Sequence, residues 1–432
     1  MIEPNRLSAV DAARLIARRE LSAETLARSC LDRIAARDAD VRAWAWVDRE
    51  LALGYARALD AAPASGALHG VPVGVKDIFD THDMPTEYGS TIYAGHRPRA
   101  DSAPVALTRR AGGLVLGKTV TTEFATFVPG RTRNPHDLAR TPGGSSSGSA
   151  AAVADCMIPL AFGTQTAGSL TRPGSYCGVV AYKPTYNTLP RAGVKPNADS
   201  LDTVGVFART VPDAALFVSA LSGRADLRVE RTSLDRPRIG ICRTHEWDRV
   251  QPEVAQALEL AARRLAAAGA VVAEVELPGH FKSLHAAHGA ILRYEFARSL
   301  CDEFVRHRAS LSAGLQERCS QGFALDAGEY VRARALAAEC RAAVDTPFGD
   351  CDCLLSPAAT GEAPTGLDST GNPSLNVVWT LLHTPTVSIP CGVGPNRMPL
   401  GLQAIGRIGD DARTLACADW IHSRLAAAGE ET

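Results

Sequence analysis

The chain has 432 residues, 46% hydrophobic and 22% charged, and 46 basic residues against 47 acidic ones leave a formal net charge of −1. This composition excludes a disordered chain, a collagen and a coiled coil, and the balanced charge gives no basic footprint of a nucleic-acid binder. No apolar run reaches the roughly 18 residues of a membrane span. Met1-Ile2-Glu3-Pro4-Asn5-Arg6 lacks the apolar stretch of a secretory signal, and 11 cysteines without a C-x-x-C pair read as reduced thiols of a cytoplasmic protein.

Ser8 is placed to cap a helix containing Ala12, Leu15 and Ile16. Ser22 is placed to cap a second containing Leu26, Cys30, Leu31 and Ile34, so residues 1–60 form a helical N-terminal part. Strands are predicted at 71–75, 114–116, 158–162, 239–241, 271–275 and 387–389, with helices at 213–221 and 252–268 between them. This alternation predicts an α/β fold with a largely buried sheet. Residues 223–237 are polar and contain proline, as a loop or linker does. The apolar pattern resumes unchanged beyond them, so residues 1–432 are read as one domain.

The most unusual stretch is Thr141-Pro142-Gly143-Gly144-Ser145-Ser146-Ser147-Gly148-Ser149, which runs into Ala150-Ala151-Ala152-Val153-Ala154. Its composition is that of a flexible linker. A glycine turn before a helix also suits a phosphate, although the Gly-Lys-Ser/Thr ending of a P-loop is missing. Gly144-Ser145-Ser146-Ser147-Gly148 matches a nucleophile elbow centred on Ser146, but the strand that an elbow needs is not apparent before it. A second small-residue stretch, Gly163-Thr164-Gln165-Thr166-Ala167-Gly168-Ser169-Leu170-Thr171-Arg172-Pro173, follows the predicted strand at 158–162. Such residues let backbone N–H groups approach a ligand. In a third, Gly70-Val71-Pro72-Val73-Gly74-Val75-Lys76-Asp77, a lysine ends an apolar strand.

Together these segments resemble the amidase signature family, from near residue 20 to near residue 425. The family's block runs from Thr141 through Thr185, within a core of 70–215, and continues with Asp202-Thr203-Val204-Gly205. Asp352-Cys353-Leu354-Leu355-Ser356-Pro357 and Leu400-Gly401-Leu402-Gln403 are similar to its later part. The resemblance implies a large mixed β-sheet sandwiched by helices, with pocket walls from a helical region at 280–345. It also implies a Ser–cis-Ser–Lys triad with Ser169 as nucleophile, Ser145 as bridging serine after a cis peptide, and Lys76 as base.

The residue types suit amide hydrolysis. A serine hydroxyl attacks a poor electrophile only when a base takes its proton. A lysine serves only when neutral, and lowering its pKa from about 10.4 to near 7 costs about 4–5 kcal/mol, which burial can impose. By the same resemblance, N–H groups of Thr166, Ala167, Gly168 and Ser169 form the oxyanion hole, and Thr164 supports the site. The chain departs from the common pattern in having Ala167 for glycine, Gln165 for aspartate, and its arginine one place later, at Arg172. The displaced arginine resembles a malonamidase-type branch, which implies that Arg172 binds a substrate carboxylate, with Gln165 and Thr164 beside it; the alternative is a structural arginine hydrogen-bonded to loop carbonyls.

The expected activity is hydrolysis of a small-molecule amide, including one that bears a carboxylate, to an acid plus ammonia or an amine. No metal or organic cofactor is implied, and no nucleic-acid or membrane partner is expected; a homodimer is compatible. The alternatives are a glutaminase-type A subunit of a tRNA-dependent amidotransferase and a non-catalytic binding protein. His285 and His288, three residues apart on a predicted helix, lack the glutamate of a zinc motif, and His383 receives no role.

Overall fold

The computed structural model describes residues 3–231 and 234–427. Met1 and Ile2 of the opening hexapeptide, and positions 232–233 of the expected linker, lie outside the described residues. The strands are β1 (Trp44–Val47), β2 (Pro72–Lys76), β3 (Leu114–Thr119), β4 (Leu160–Gln165), β5 (Val180–Lys183) and β6 (Thr203–Ala208), followed by β7 (Arg238–Cys242), β8 (Val271–Val275), β9 (Cys353–Pro357), β10 (Thr386–Val393) and β11 (Pro399–Ile405). All 11 join one sheet in the order β1-β3-β2-β4-β6-β5-β10-β11-β9-β7-β8. Neighbours β2/β3, β2/β4, β7/β8 and β7/β9 are parallel, and the other pairs are antiparallel. The α/β class and the mixed sheet agree with expectation.

The central strands are buried on both faces, so they read as continuous apolar runs. β4 starts at Leu160 rather than at 158, because Pro159 offers no N–H to the ladder. The short β5 and β6 escape a periodicity search because every residue in them is buried and no alternation marks a face. The segment 223–237 contains single 3₁₀ turns at Ala225–Leu227 and Val229–Arg231. The strands on either side of it, β6 and β7, belong to the same sheet.

Ser8 and Ser22 cap their helices as the sequence predicts, accepting from the N–H groups of Asp11 and Thr25. The Gly/Ser/Ala stretch is neither a linker nor an elbow. Residues 145–153 are buried, and Ser147–Ala154 is a helix inserted against the sheet. Its small side chains are what allow that approach. A Cβ at Gly148 would stand 2.2 Å from the Ala43 carbonyl oxygen and 2.4 Å from the Val120 nitrogen. Ser149 Oγ donates to Phe162 O at 2.7 Å and so ties the helix to β4. Ser146 Oγ lies 3.3 Å from both the N and the O of Thr164, which fastens it to the same strand and takes it out of contention as a nucleophile.

Two glycines test this packing. Gly148→Ala meets backbone that cannot yield, and should lower the unfolding free energy by about 2–4 kcal/mol in urea titrations. Gly54 lies inside the helix Arg49–Ala61, and a Cβ there would have nothing within 4 Å, so Gly54→Ala should be neutral or stabilise by about 0.5–1 kcal/mol.

Candidate active site

Lys76 is the last residue of β2 and is fully buried. The parallel register Val73↔Leu160 and Gly74↔Ala161 carries the end of β4 alongside it. Lys76 Nζ therefore sits 2.8 Å from Thr164 Oγ1 and 2.8 Å from Ser145 Oγ. No carboxylate bonds to it, so burial dominates and pushes its pKa down to about 7, against a smaller upward pull from Asp202. Its neighbour in β3 behaves differently: Lys118 pairs with Asp77 at 3.1 Å and donates to Phe79 O at 2.9 Å. A neutral Lys76 amine has two N–H groups and one lone pair. It can donate to one hydroxyl and accept from the other, which is what a base for Ser145 requires.

Ser145 follows a cis peptide from Gly144. Its loop is held at both ends. Arg172 Nη2 donates to Gly144 O at 2.6 Å, and Thr122 N donates to Ser145 O at 3.2 Å. Gly143 has φ +80°, and a Cβ there would touch Pro173 Cα at 2.9 Å, so this turn requires glycine. Arg172 is buried and bonds also to Thr370 Oγ1 at 3.2 Å, while its Nε and Nη1 have no partner.

Ser169 lies in the turn after β4 and is 8% exposed, against 1% for Ser145. Among the described residues, no hydrogen bond joins Ser169 Oγ to another side chain, whereas Lys76, Ser145 and Thr164 are directly linked. The Ser169 turn is fixed by Gln165, whose Oε1 accepts from Leu170 N at 2.9 Å and Thr171 N at 3.1 Å, and whose Nε2 donates to Thr380 at 3.0 Å. Gln165 is fully buried, and these bonds occupy both ends of its amide. Carbonyl groups in the turn are pulled outward: His288 Nε2 donates to Thr166 O at 2.8 Å, and Thr380 Oγ1 to Ala167 O at 2.7 Å. The N–H groups of Ala167, Gly168 and Ser169 find no acceptor among the described residues. They are free to bind an oxyanion. Ala167 keeps a negative φ, so its Cβ does not disturb the turn. Gly168 permits the approach of the helix Ser374–Leu381, since a Cβ would meet Asn376 Oδ1 at 2.5 Å.

Sequence reasoning missed several residues. His288 is buried, and burial lowers its pKa to about 4, so it is a neutral donor to the Ser169 turn. His285 remains on the surface near Glu246. His383 donates to Ser200 O at 2.9 Å and stacks on Tyr186. Asp202, in the signature block but without an assigned role, accepts from Thr166 Oγ1 at 2.6 Å, and burial raises its pKa to about 6. Arg318, on the helix Ala313–Ala324, has its guanidinium 4.1 Å from the Phe127 ring centroid. Phe127 ends a loop that Thr122 fastens to Ser145, through Thr122 Oγ1 to Thr126 O at 2.8 Å. Arg318 lies near Arg293, and burial lowers its pKa to about 10. Neither guanidinium has a carboxylate partner among the described residues, and only the three-dimensional packing of the two helices brings them together.

A family model described as Amidase matches residues 25–415. The A subunit of glutamyl-tRNA(Gln) amidotransferase from Acidothermus cellulolyticus is 37% identical over 94% of this chain and 92% of its own length. Its counterpart in Salinispora arenicola is 35% identical over 98% of each. A solved amidase superposes with TM-score 0.90 at 30% identity, covering 97% of this chain and 100% of that one. The peptide amidase of Stenotrophomonas maltophilia gives 0.82 at 28%, covering 98% and 97%. The curated relatives overturn the expectation of no nucleic-acid partner, because their name places them in an enzyme that acts on a tRNA. Balanced charge describes only this chain's surface and carries no information about RNA held by another subunit. No helix of the described residues is long and apolar enough to cross a membrane.

The buried lysines predict a pH dependence of stability. Lys76 and Lys183 both have folded pKa values of about 7 against 10.5 for the free group. Between those values the unfolded chain binds more protons, so stability rises with pH. Denaturant titrations from about pH 7 to 8, below the value of about 8.5 at which thiols of the unfolded chain ionise, should show that rise, and a shallower one in Lys76→Met.

Proposed function

Since the chain belongs to the amidase family, we propose that it hydrolyses a terminal carboxamide to carboxylate and ammonia through an acyl-enzyme on Ser169, as the amide-hydrolysing subunit of a tRNA-dependent amidotransferase. The observation that carries the chemistry is the buried, carboxylate-free Lys76 amine, 2.8 Å from Ser145 Oγ, at the end of the sheet where the Ser169 turn begins. In this reading Ser145 passes a proton to Lys76 and takes the one from Ser169. Ser169 Oγ then attacks the carbonyl carbon, and the oxygen's developing charge meets the N–H groups of residues 167–169. Each such donor is worth about 3–4 kcal/mol to a transition state. The proton returns through Ser145 to the leaving nitrogen, and water then hydrolyses the ester by the same route.

The amidotransferase reading is supported by the curated relatives, at 37% and 35% identity over nearly the whole chain. Arg318 supports a substrate that carries an anion. Two neighbouring guanidinium groups without carboxylates repel each other, and a bound carboxylate relieves that repulsion. Glutamine carries a carboxylate and a carboxamide together. A second reading, a stand-alone hydrolase of small amides, is favoured by the likeness to the solved amidase and the peptide amidase.

The tagged chain isolated from its own cells should carry ATP-dependent conversion of Glu-tRNA(Gln) to Gln-tRNA(Gln). Absence of that activity, with rapid turnover of glutamine or neutral amides by the chain alone, selects the stand-alone reading. Ser169→Ala should lower kcat at least about 10³-fold. kcat/KM should climb as pH rises to about 7 and then level off, because only deprotonated Lys76 is a base. Arg318→Met should raise KM for glutamine about tenfold or more and leave propionamide nearly unchanged. Arg172→Met should lower kcat for both, because it frees Gly144 O; a KM effect confined to glutamine would return the carboxylate to Arg172.

A further inference from the structure

Two successive residues near the site are held in a conformation that neither favours. Phe124 (φ 47°, ψ 38°) and Ala125 (φ 57°) are both left-handed, although neither is glycine. Such backbone is costly for any residue with a Cβ and persists only where the surroundings impose it. The pair lies in the loop that anchors Ser145. Ala125 N donates to Thr122 O at 3.0 Å, Thr122 Oγ1 donates to Thr126 O at 2.8 Å, and Thr122 N donates to Ser145 O at 3.2 Å. We propose that Asn197, on the loop 191–199, is a positioning residue for the active site: its side-chain amide holds the 124–125 turn and through it sets the Ser145 loop against Lys76. This role rests on the acyl-enzyme reading above.

Asn197 is buried, and its Nδ2 donates to Ala125 O at 3.1 Å and to Phe124 O at 3.4 Å. One NH₂ group therefore spans both left-handed residues, and their carbonyl groups have no other partner among the described residues. The amide is itself fixed to the site from two sides. Asn197 N and Ala198 N donate to Asp202 Oδ2 at 2.7 and 3.0 Å, and Asp202 Oδ1 accepts from Thr166 Oγ1 in the Ser169 turn at 2.6 Å. Lys195 N donates to Ile78 O at 2.9 Å, just past Lys76. The same loop cages the Phe124 ring. Lys195 Nζ stands 5.8 Å from its centroid and 5.7 Å from that of Tyr93, and Glu303 binds both Lys195 and the Tyr93 hydroxyl. With the ring and the two carbonyl groups held from one loop, the turn cannot relax to the right-handed region. Without the amide it can, and Thr122 moves with it.

The rate at which a fluorophosphonate labels Ser169 reads the Ser145–Lys76 geometry directly. The Ser169 Oγ–P bond forms, the P–F bond breaks with loss of fluoride, and the hydroxyl proton passes through Ser145 to Lys76. Asn197→Leu removes the Nδ2 donor but keeps the backbone N–H that holds Asp202, and the Oδ1 it deletes has no partner. On the tagged chain isolated from its own cells, Asn197→Leu should lower the second-order labelling constant about tenfold or more. Ala125→Gly, added to Asn197→Leu, should bring the constant back to within about threefold of the wild-type value, because glycine takes the left-handed form without a Cβ penalty. Asn197→Ser, too short to reach either carbonyl oxygen, takes the place of the leucine variant if that variant does not fold. A labelling constant unchanged in Asn197→Leu, with only the urea midpoint lowered, makes Asn197 a purely structural residue and overturns the proposal while the acyl-enzyme stands. A loss that Ala125→Gly does not restore overturns it too. A wild-type chain that the fluorophosphonate does not label at Ser169 overturns the acyl-enzyme reading and the role of Asn197 with it.

Discussion

An amine with no counter-ion, shut away from water at the end of a β-strand, is the constraint around which the site is arranged. Charging Lys76 there is costly because no carboxylate pairs with it and the pull of Asp202 offsets only part of the lost hydration. The amine therefore stays neutral at a pH where a free lysine is charged, and its lone pair becomes available to Ser145. Lys118, one strand away and equally buried, shows the contrast: Asp77 at 3.1 Å holds the charge that Lys76 lacks. Lys183, buried among carbonyl oxygens, is lowered to about 7 as well, so what sets Lys76 apart is that its neutral amine lies against the Ser145 hydroxyl.

The sheet exists in a form that meets this need. Parallel pairing of β2 with β4 delivers Lys76 and Thr164 to the same end. The antiparallel contact of β4 with β6 then brings Asp202, just before β6, back to the Thr166 hydroxyl. The helix Ser147–Ala154 presses into this corner because it consists of glycine, serine and alanine apart from one valine. A larger residue at Gly148, three places after Ser145, would collide with the backbone of Ala43 and Val120. Outer helices complete the site: the helices Leu284–Ser299 and Ser374–Leu381 draw the turn's carbonyl groups outward and leave its N–H groups for a ligand.

Much of this was legible in the sequence because it lies in contiguous segments. Lys76 follows its apolar strand, the serine run precedes an alanine-rich helix, and Ser169 follows small residues, so the ordered blocks could be read as one family. The helix caps at Ser8 and Ser22 are local hydrogen bonds and were equally visible. Other features depend on distant contacts. His288 is 122 residues from the Thr166 carbonyl it holds, and nothing in its own neighbourhood marks it as buried. Arg318 meets Phe127 only because the helix Ala313–Ala324 packs against the loop that Phe127 ends. Arg172 bonds to a loop carbonyl, the alternative the sequence left open, whereas the position of Gln165 did not reveal that its side chain braces the turn. The expectation of no nucleic-acid partner failed for a different reason: it rested on net charge, which describes one chain and says nothing of what a relative's assembly acts on.

The central claim is the protonation state of Lys76. Selective ¹⁵N labelling of lysine, with the Nζ resonance of residue 76 assigned by its loss in Lys76→Met, gives that state by NMR titration. A midpoint near pH 7 is the predicted result. A resonance that remains that of a charged ammonium at pH above about 9 would contradict the account.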